Sequence, residues 1–535
     1  MERRVVSFFA LTILAMFLCI LSIYTISEGD VLAETAQRQS SYRLTVAETR
    51  GTVYDCSLLP LTGESEEYVA AVAPAASTAA SLNRVLGEEE IQELAPLLQA
   101  GRPFALALPS NVSGEGILTF SVKQRYQEKQ LAAHVVGYLD GSGHGVSGIE
   151  KAYDNVLSSQ QGEISVSYQV DALNRALAGE KASVSDTSYL GKSGVVLTID
   201  KRIQRIAEEA AEKSLSSAAV VVAEIPSCKI RAMVSLPSFS PSQVAQVLDA
   251  PDSPLMNRAL AAYNVGSVFK LVSAAAALEA GLPPETEYEC TGEILVSGDA
   301  FHCYNSEVHG VEDMSAAVAN SCNTYFVNLM QQVQPSLFLD MAERLGFGSG
   351  TELAPGYFSA AGALPSESLL QVPKALANFS FGQGELTATP LQITAMINAI
   401  ASGGEYTEPA LAEGTVDASL QFTSREEEKE PRRVLSPYTA ALLQNFMKAS
   451  VESGTSRRYS PAHGGAGAKT ATAQTGRLDE NGVEEVQSWF AGFYPYEDPQ
   501  YVITVFSEEG TGGGPTCGPV FQKIADEICR QLGVS

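Results

Sequence analysis

The sequence predicts an α+β protein, an antiparallel sheet flanked by helices, behind a single N-terminal transmembrane helix. Three patterns carry this. Strand-like segments at 218–225 and 230–236 are followed by a long, mostly helical stretch, then by three more strands at 466–474, 487–494 and 501–507. A final amphipathic helix runs from 520 to about 532, and this order of elements suits one mixed domain. Residues 5–26 are apolar and uncharged, and at ~1.5 Å per residue they span a hydrocarbon core of about 30 Å. Residues 271–278, alanine-rich behind a glycine turn, read as a helix with almost no polar face and therefore a buried one.

Arg3 and Arg4 precede the apolar run, which places the N-terminus in the cytoplasm and the bulk of the chain outside. A cleaved signal peptide ending near Val31-Leu32-Ala33 is the competing reading. The run exceeds the roughly 7–15 residues of a signal core, which favours an uncleaved anchor. Residues 1–4 are then a cytoplasmic tail, 5–26 the anchor, 27–190 a first outer domain and 191–535 a second, with the turn-containing stretch 160–193 as boundary. The polar segment up to Thr49 reads as a stalk or juxtamembrane helix, and Arg50-Gly51-Thr52-Val53-Tyr54-Asp55 as a short strand entering a turn. Residues 88–98 suit an amphipathic helix, and 125–157 a helix, a glycine-rich turn and another helix. Asn111-Val112-Ser113 matches a glycosylation sequon, which by itself says little.

In the second domain, residues 195–200 form a strand whose last residue, Asp200, caps a helix over 201–215. Ser321-Cys322-Asn323 falls within the helical pattern 314–333. Residues two apart on a helix do not share a face, so a loop between two short helices is expected there. Residues 378–384 form a glycine turn, 390–400 a helix with proline in its first turn, 403–433 a charged exposed insertion or loop, and 436–453 a helix. Asp479-Glu480-Asn481-Gly482 and Glu497-Asp498-Pro499 mark the turns between the last strands.

The 535 residues allow two to four domains, and 45% hydrophobic with 18% charged residues is a globular composition. A net charge of −27 argues against nucleic acid as a partner and against a broad docking face on anionic lipid. Of eight cysteines, Cys19 lies in the anchor; Cys56, Cys228, Cys290, Cys303, Cys322, Cys517 and Cys529 lie outside it, where disulfides persist. An odd number there leaves at least one free or paired between chains. A disulfide between Cys290 and Cys303 is expected, closing a short loop in a turn-rich segment; two free buried thiols are the open alternative. There is no Cys-x-x-Cys pair, and the five histidines fit no zinc spacing. His302-Cys303 and His309 come nearest and read as loop residues, so neither a metal nor a cofactor is expected.

Chemistry concentrates at Tyr263-Asn264-Val265-Gly266-Ser267-Val268-Phe269-Lys270. Ser267 and Lys270 are three apart at the head of the buried helix and share a face. A serine hydroxyl becomes a competent nucleophile only with a base in reach, and a lysine serves as that base when burial or a neighbouring cation lowers its pKa. Ser-x-x-Lys alone also arises by chance. Here it is followed by Ser321-x-Asn323 and by Lys469-Thr470-Ala471 on a strand near the C-terminus. Singly, Ser321 could be a helix cap, Asn323 a turn residue, Gly382-Gln383-Gly384 plain turn geometry and Trp489 a core or groove-wall residue.

In order and spacing the three elements resemble the active-site triplet of the penicillin-binding proteins and serine β-lactamases. Further segments resemble the class B penicillin-binding proteins, the monofunctional peptidoglycan transpeptidases: residues 50–55, 133–138 and 148–150 their pedestal domain, and 196–200, 257–259, 382–384, 389–392 and 489–492 their catalytic domain. The likeness runs from about residue 45 to about 530. It implies a β-lactamase/transpeptidase-like domain over 191–535, a pedestal over 27–190, and a membrane-anchored D,D-transpeptidase that cross-links stem peptides ending in D-Ala-D-Ala. β-Lactams would be its inhibitors and wall-synthesis membrane proteins its partners.

By that resemblance Ser267 is the nucleophile, Lys270 the base and Ser321 a proton relay, with Asn323 orienting Lys270 and substrate. Lys469 and Thr470 would hold the substrate carboxylate, Lys469 also keeping Lys270 neutral. The backbone N–H groups of Ser267 and Thr472 would form the oxyanion hole. Two departures stand out: Val265 replaces the usual proline, and Ala468 and Ala471 replace glycines around Lys-Thr. A non-catalytic membrane-anchored scaffold and a D,D-carboxypeptidase, which gives the acyl group to water, are the alternatives.

Overall fold

The computed structural model describes residues 2–27, 40–159, 162–177, 179–187, 193–478, 482 and 484–534. The Val31-Leu32-Ala33 segment and the Asp479-Glu480-Asn481 part of the hairpin turn lie outside these residues. A helix spans Glu2–Ser27. Its stretch Arg3–Thr25, with a mean hydropathy of 2.6, is long and apolar enough to cross a membrane.

Packing divides the chain into two units that exchange segments: the first comprises Met1–Arg50, Ser65–Arg125 and Gln161–Leu190, the second Gly51–Glu64, Tyr126–Gln160 and Gly191–Ser535, so the last crossing falls between residues 190 and 191 and two earlier segments also belong to the second unit. In the first unit, Ser41–Thr49 is a strand rather than a stalk or helix, paired antiparallel with Gly162–Gln169, which also pairs with Ser183–Asp186. Alternation along these strands buries Val46, Ile164 and Val166 on one face. A second sheet orders Phe104–Leu108, Glu66–Val72 and Ile117–Lys123 around the central strand. The helix Glu88–Ala100 lays Ile91 and Leu98 on the core of that sheet. Its N-terminus is satisfied when Gly87 N–H donates to Glu90 Oε2 at 2.7 Å.

The second unit is built on a five-stranded antiparallel sheet. Its strands are β1 (Ala218–Glu224), β2 (Lys229–Leu236), β3 (Gly467–Leu478), β4 (Glu484–Tyr494) and β5 (Tyr501–Ser507), in the spatial order β2-β1-β5-β4-β3. The inner strands β1 and β5 are buried along nearly their whole length because helices cover both faces. Helix α1 (Lys201–Ala211) packs on one face, started by Asp200, whose carboxylate accepts from the N–H groups of Arg202 and Ile203. The other face meets a larger core containing α2 (Lys270–Glu279), α3 (Met314–Asn320), α4 (Asn323–Met330), α5 (Pro390–Ala401) and α6 (Pro437–Glu452). A last helix, α7 (Gly513–Leu532), joins α1 on the first face and begins earlier than its apolar periodicity alone suggests.

Two more segments join this unit in ways the linear sequence hides. Thr52–Tyr54 pairs parallel with Gly194–Leu197, which pairs on its other side with Ala412–Val416. Residues 403–433 are therefore no simple exposed loop: Ala412 and Val416 are buried and Ala412–Val416 is a sheet strand. Residues 125–157 hold the short helices Ala133–Val136, Gly148–Ala152 and Asp154–Ser158, whose Val135, Ile149 and Leu157 lie in the large core.

Candidate active site

Helix α2 has nine consecutive buried residues, Lys270 to Leu278, so its position is set by packing on all sides. The preceding turn, Gly266–Phe269, is a 3-10 helix that presents half-buried Ser267 one turn before fully buried Lys270. Gly266 has φ +64°, and a Cβ there would lie 3.1 Å from Thr472 O. Only glycine lets this turn sit so close to strand β3. Gly266 N–H donates to Gly382 O at 2.9 Å, and Gly382 (φ +86°) is hemmed in as tightly, since its Cβ would fall 2.0 Å from Gly266 O. Gly382 thus serves turn geometry. Trp489 is fully buried and donates its indole N–H to Asn264 O at 2.9 Å, fixing the approach to the turn.

The pair Ser321 and Asn323 sits between two short helices, as the spacing requires. Ser321 ends α3 in the left-handed conformation (φ 60°), Cys322 caps α4, and Asn323 opens it. Lys270 Nζ donates to Ser321 O (2.5 Å), Ser321 Oγ (3.1 Å) and Asn323 Oδ1 (2.6 Å). From β3, Lys469 Nζ donates to the same Ser321 Oγ at 2.9 Å and to Thr470 O at 2.9 Å. Lys270, Ser321, Asn323 and Lys469 therefore come from three separate stretches of chain to one place, with Ser267 one turn ahead of Lys270. Ser267 Oγ makes no hydrogen bond with the described residues.

Both lysines are removed from solvent. Burial lowers the pKa of Lys270 to about 8, against smaller opposing effects of Cys322, Cys303 and Glu312. Lys469 is pushed well below the ordinary lysine range by burial and then by the charge of Lys270. Repulsion between two ammonium groups is mutual, so the pair favours holding fewer than two protons. Burial is what lowers Lys270, and Lys270 in turn lowers Lys469. A neutral lysine on either side of Ser321 can accept the proton of its hydroxyl, so the three groups can pass a proton.

Ala471 is buried on the Lys469 face of β3, facing the large core. Thr470 Oγ1 is 2.9 Å from Thr455 Oγ1, a neighbour with no motif to reveal it. Thr472 Oγ1 accepts from Gly513 N–H at 3.3 Å, leaving its backbone on the edge strand of the sheet. An open groove of about 870 Å³ borders the turn, lined by Tyr263, Asn264, Thr475 and Gln487 among others.

The disulfide expected between Cys290 and Cys303 is not formed; all eight cysteines are free thiols. The two sulfurs are 3.7 Å apart, and Cys303 Sγ is equally 3.7 Å from Cys322 Sγ. Three thiols converge, with His309 Nδ1 3.4 Å from Cys290 Sγ, so no single pair is singled out for bonding. The Cys303 thiol is drawn down to about 4 by its hydrogen bond with Cys322, which is raised in turn. Cys303 and His309 are thus not mere loop residues: Cys290 stands beside Cys303, though unbonded, and Cys322 is the member that the sequence did not reveal.

Residues 218–526 match the family described as penicillin-binding protein transpeptidase domain. PbpB of Mycobacterium tuberculosis is 31% identical over 449 residues, 77% of this chain and 62% of the relative. Stage V sporulation protein D of Bacillus subtilis is 28% identical over 432 residues, 77% of this chain and 64% of the relative. The matched part thus spans a little under two thirds of each relative's own length. Penicillin-binding protein 3 of M. tuberculosis in its apo form superposes with a TM-score of 0.64 at 25% identity, covering 92% of this chain and 98% of that one. The same fold recurs in penicillin-binding protein 2 of Helicobacter pylori, solved with MreC, at a TM-score of 0.66 and 21% identity, covering 92% and 99%. With the family's domain over more than half its length, and its α+β architecture around the Ser267 turn, the chain belongs to the penicillin-binding protein transpeptidase family, in class B.

Proposed function

We propose that this protein is a serine D,D-transpeptidase that cross-links peptidoglycan stem peptides outside the membrane. The observation that carries it is Lys270, fully buried, pulled down in pKa, and bonded at once to Ser321 and Asn323, with Lys469 on the far side of the same hydroxyl.

Ser267 attacks the carbonyl of the penultimate D-alanine while Lys270, in its neutral form, takes the hydroxyl proton. Ser321 relays that proton to the departing D-alanine nitrogen. An amine of a second stem peptide then displaces Ser267 from the acyl group. The terminal carboxylate of the donor lies against Lys469 and the Thr470 hydroxyl. Its negative charge keeps Lys469 protonated, and the charge on Lys469 keeps Lys270 neutral, so substrate arrival sets the base. The N–H groups of Ser267 and Thr472, at the facing edges of the turn and β3, hold the oxyanion. Each such donor typically contributes about 10²–10³ in rate.

The helix at Glu2–Ser27 anchors the protein with its arginine end in the cytoplasm. β-Lactams, which mimic the D-Ala-D-Ala end, acylate the same serine; penicillin-binding protein 3 of M. tuberculosis is solved with ampicillin and with aztreonam. The complex of the H. pylori relative with MreC supports a wall-synthesis membrane protein as partner.

The test is incubation of the full-length protein in detergent with fluorescent penicillin, followed by peptide mass mapping. An adduct on Ser267 is expected, and an adduct on another serine overturns the mechanism. Product analysis with a stem-peptide donor and an amine acceptor separates transfer from hydrolysis to a shortened peptide.

A further inference from the structure

Next to Asn323, four donors from four segments meet: Cys290 at the end of the strand Tyr288–Cys290, Cys303 before the turn Tyr304–Ser306, His309 ahead of the strand Gly310–Glu312, and Cys322 at the cap of α4. Their ligand atoms all lie within 4.8 Å of one another. The three sulfurs are at most 3% exposed, and His309 is nearly buried.

The spacing discriminates between two fates for such thiols. A disulfide needs sulfurs about 2.05 Å apart and joins two of them, leaving the third over. A tetrahedral zinc ion with Zn–S bonds of about 2.3 Å and Zn–N bonds of about 2.0 Å has S···S edges of roughly 3.8 Å and S···N edges of roughly 3.6 Å. The distances here are 3.7, 3.7 and 3.4 Å.

The surroundings favour a cation as well. Thr324 Oγ1 donates to Cys290 Sγ at 3.2 Å and lies 3.4 Å from Cys322 Sγ, while Tyr325 N–H donates to Cys322 Sγ at 3.4 Å. Such donors suit metal-bound thiolates. Glu312 is 3% exposed; its Oε1 accepts from Asn320 at 2.7 Å, but its Oε2 has no hydrogen-bond partner and lies 3.8 Å from His309 Nδ1. A buried carboxylate oxygen without a hydrogen bond calls for positive charge nearby, and His309 is the group beside it.

We propose that Cys290, Cys303, His309 and Cys322 bind a zinc ion in a closed, four-coordinate structural site that holds the Ser321–Asn323 segment in place. The set of soft sulfurs with one imidazole selects zinc over harder cations, and the full protein ligand set leaves no position for substrate. The thiols bind as thiolates and release their protons to solvent, with no change of oxidation state. Cys322 lies between the two residues that contact Lys270, and Asn323 Nδ2 donates to the carbonyl of His302, next to Cys303, at 2.9 Å. Zinc would therefore tie both flanks of the segment to one point. The binding site rests on the cluster alone; only its positioning role rests on the proposed transpeptidase reading.

The test uses the full-length protein purified in detergent without chelator or reductant. Elemental analysis should find stoichiometric zinc. Exchange for cobalt(II) should give sulfur-to-cobalt charge-transfer and tetrahedral d–d bands, lost in Cys303→Ser and kept in Cys517→Ser. Chelation should slow acylation by fluorescent penicillin about 10- to 100-fold, reversed by added zinc. Only trace zinc with no cobalt spectrum in the wild-type protein, or a mapped disulfide among Cys290, Cys303 and Cys322, overturns the site whatever the activity. Stoichiometric zinc whose removal leaves acylation unchanged overturns the positioning role.

Discussion

Lys270 is the residue on which the proposed chemistry turns, and its environment makes two outcomes measurable. Removing the nucleophile in Ser267→Ala should abolish the penicilloyl adduct, while Lys270→Ala should slow its formation by about 10²–10⁴-fold, the usual contribution of a general base. Labelling time courses check both, and a Lys270→Ala variant as fast as wild type would sink the assignment. A lowered pKa also dictates a pH profile. Cys322, Cys303 and Glu312 oppose the lowering of Lys270, and Lys270 in turn lowers Lys469. Because burial lowers its pKa to about 8, the neutral, proton-accepting form grows as pH rises through that value. Acylation should therefore climb between about pH 7 and 9 and then level off. In the complex, where the β-lactam carboxylate keeps Lys469 protonated, Lys469→Met removes that charge, lets Lys270 hold its proton to higher pH, and should move the midpoint upward as the overall rate falls. A midpoint that moves down, or a flat profile in the wild type, would contradict this coupling.

At the scale of elements, the site depends on how closely the Ser267 turn approaches β3 and residue 382. Gly382→Ala places a methyl 2.0 Å from Gly266 O at a φ of +86°. The left-handed backbone alone costs about 1–2 kcal/mol, and the overlap adds to it. Thermal unfolding should move to lower temperature, and acylation should fall with it. An unchanged melting temperature would show that the turn yields at little cost. Ala471 tests the adjacent strand. It is buried on the Lys469 face, and strand dihedrals suit alanine, so the methyl brings no backbone strain. Ala471→Gly should change acylation less than about tenfold, or ~1.4 kcal/mol. Ala471→Val should be far slower, because its branches enter packed space beside the turn. Equal rates for valine and alanine would show that the side chain does not bear on the site. A wild type inert until glycine is restored would favour a scaffold.

For the molecule as a whole, the 191–535 segment is not the complete second unit. Val53, Leu61, Val135, Val136, Ile149 and Leu157 all sit in its large core at 2% exposure or less. Each such side chain contributes about 1.5–3 kcal/mol by burial, and a domain's net stability is only about 5–15 kcal/mol. A chain beginning at residue 191 should therefore express as unfolded or aggregated protein. The measurement is soluble yield and thermal unfolding against a chain that keeps residues 40–535. A stable, penicillin-reactive 191–535 fragment would show that these segments are dispensable.

Local pattern by itself determined the apolar N-terminal helix, the five strands and the Asp200 cap, because period, capping chemistry and turn residues act over a few neighbours. It also determined that Ser321 and Asn323 need a break between helices, since residues two apart on one helix do not share a face. What it left undecided depends on contacts between distant stretches. Thr52–Tyr54 is a strand only because Gly194–Leu197 pairs with it, and Ser41–Thr49 only because Gly162–Gln169 does. Lys270 has its lowered pKa because helices from across the chain exclude water from it. Cys290, Cys303, His309 and Cys322 follow no short ligand spacing, because four different segments deliver them. Only the tertiary structure, by closing those segments around one point, decided that they form a cluster.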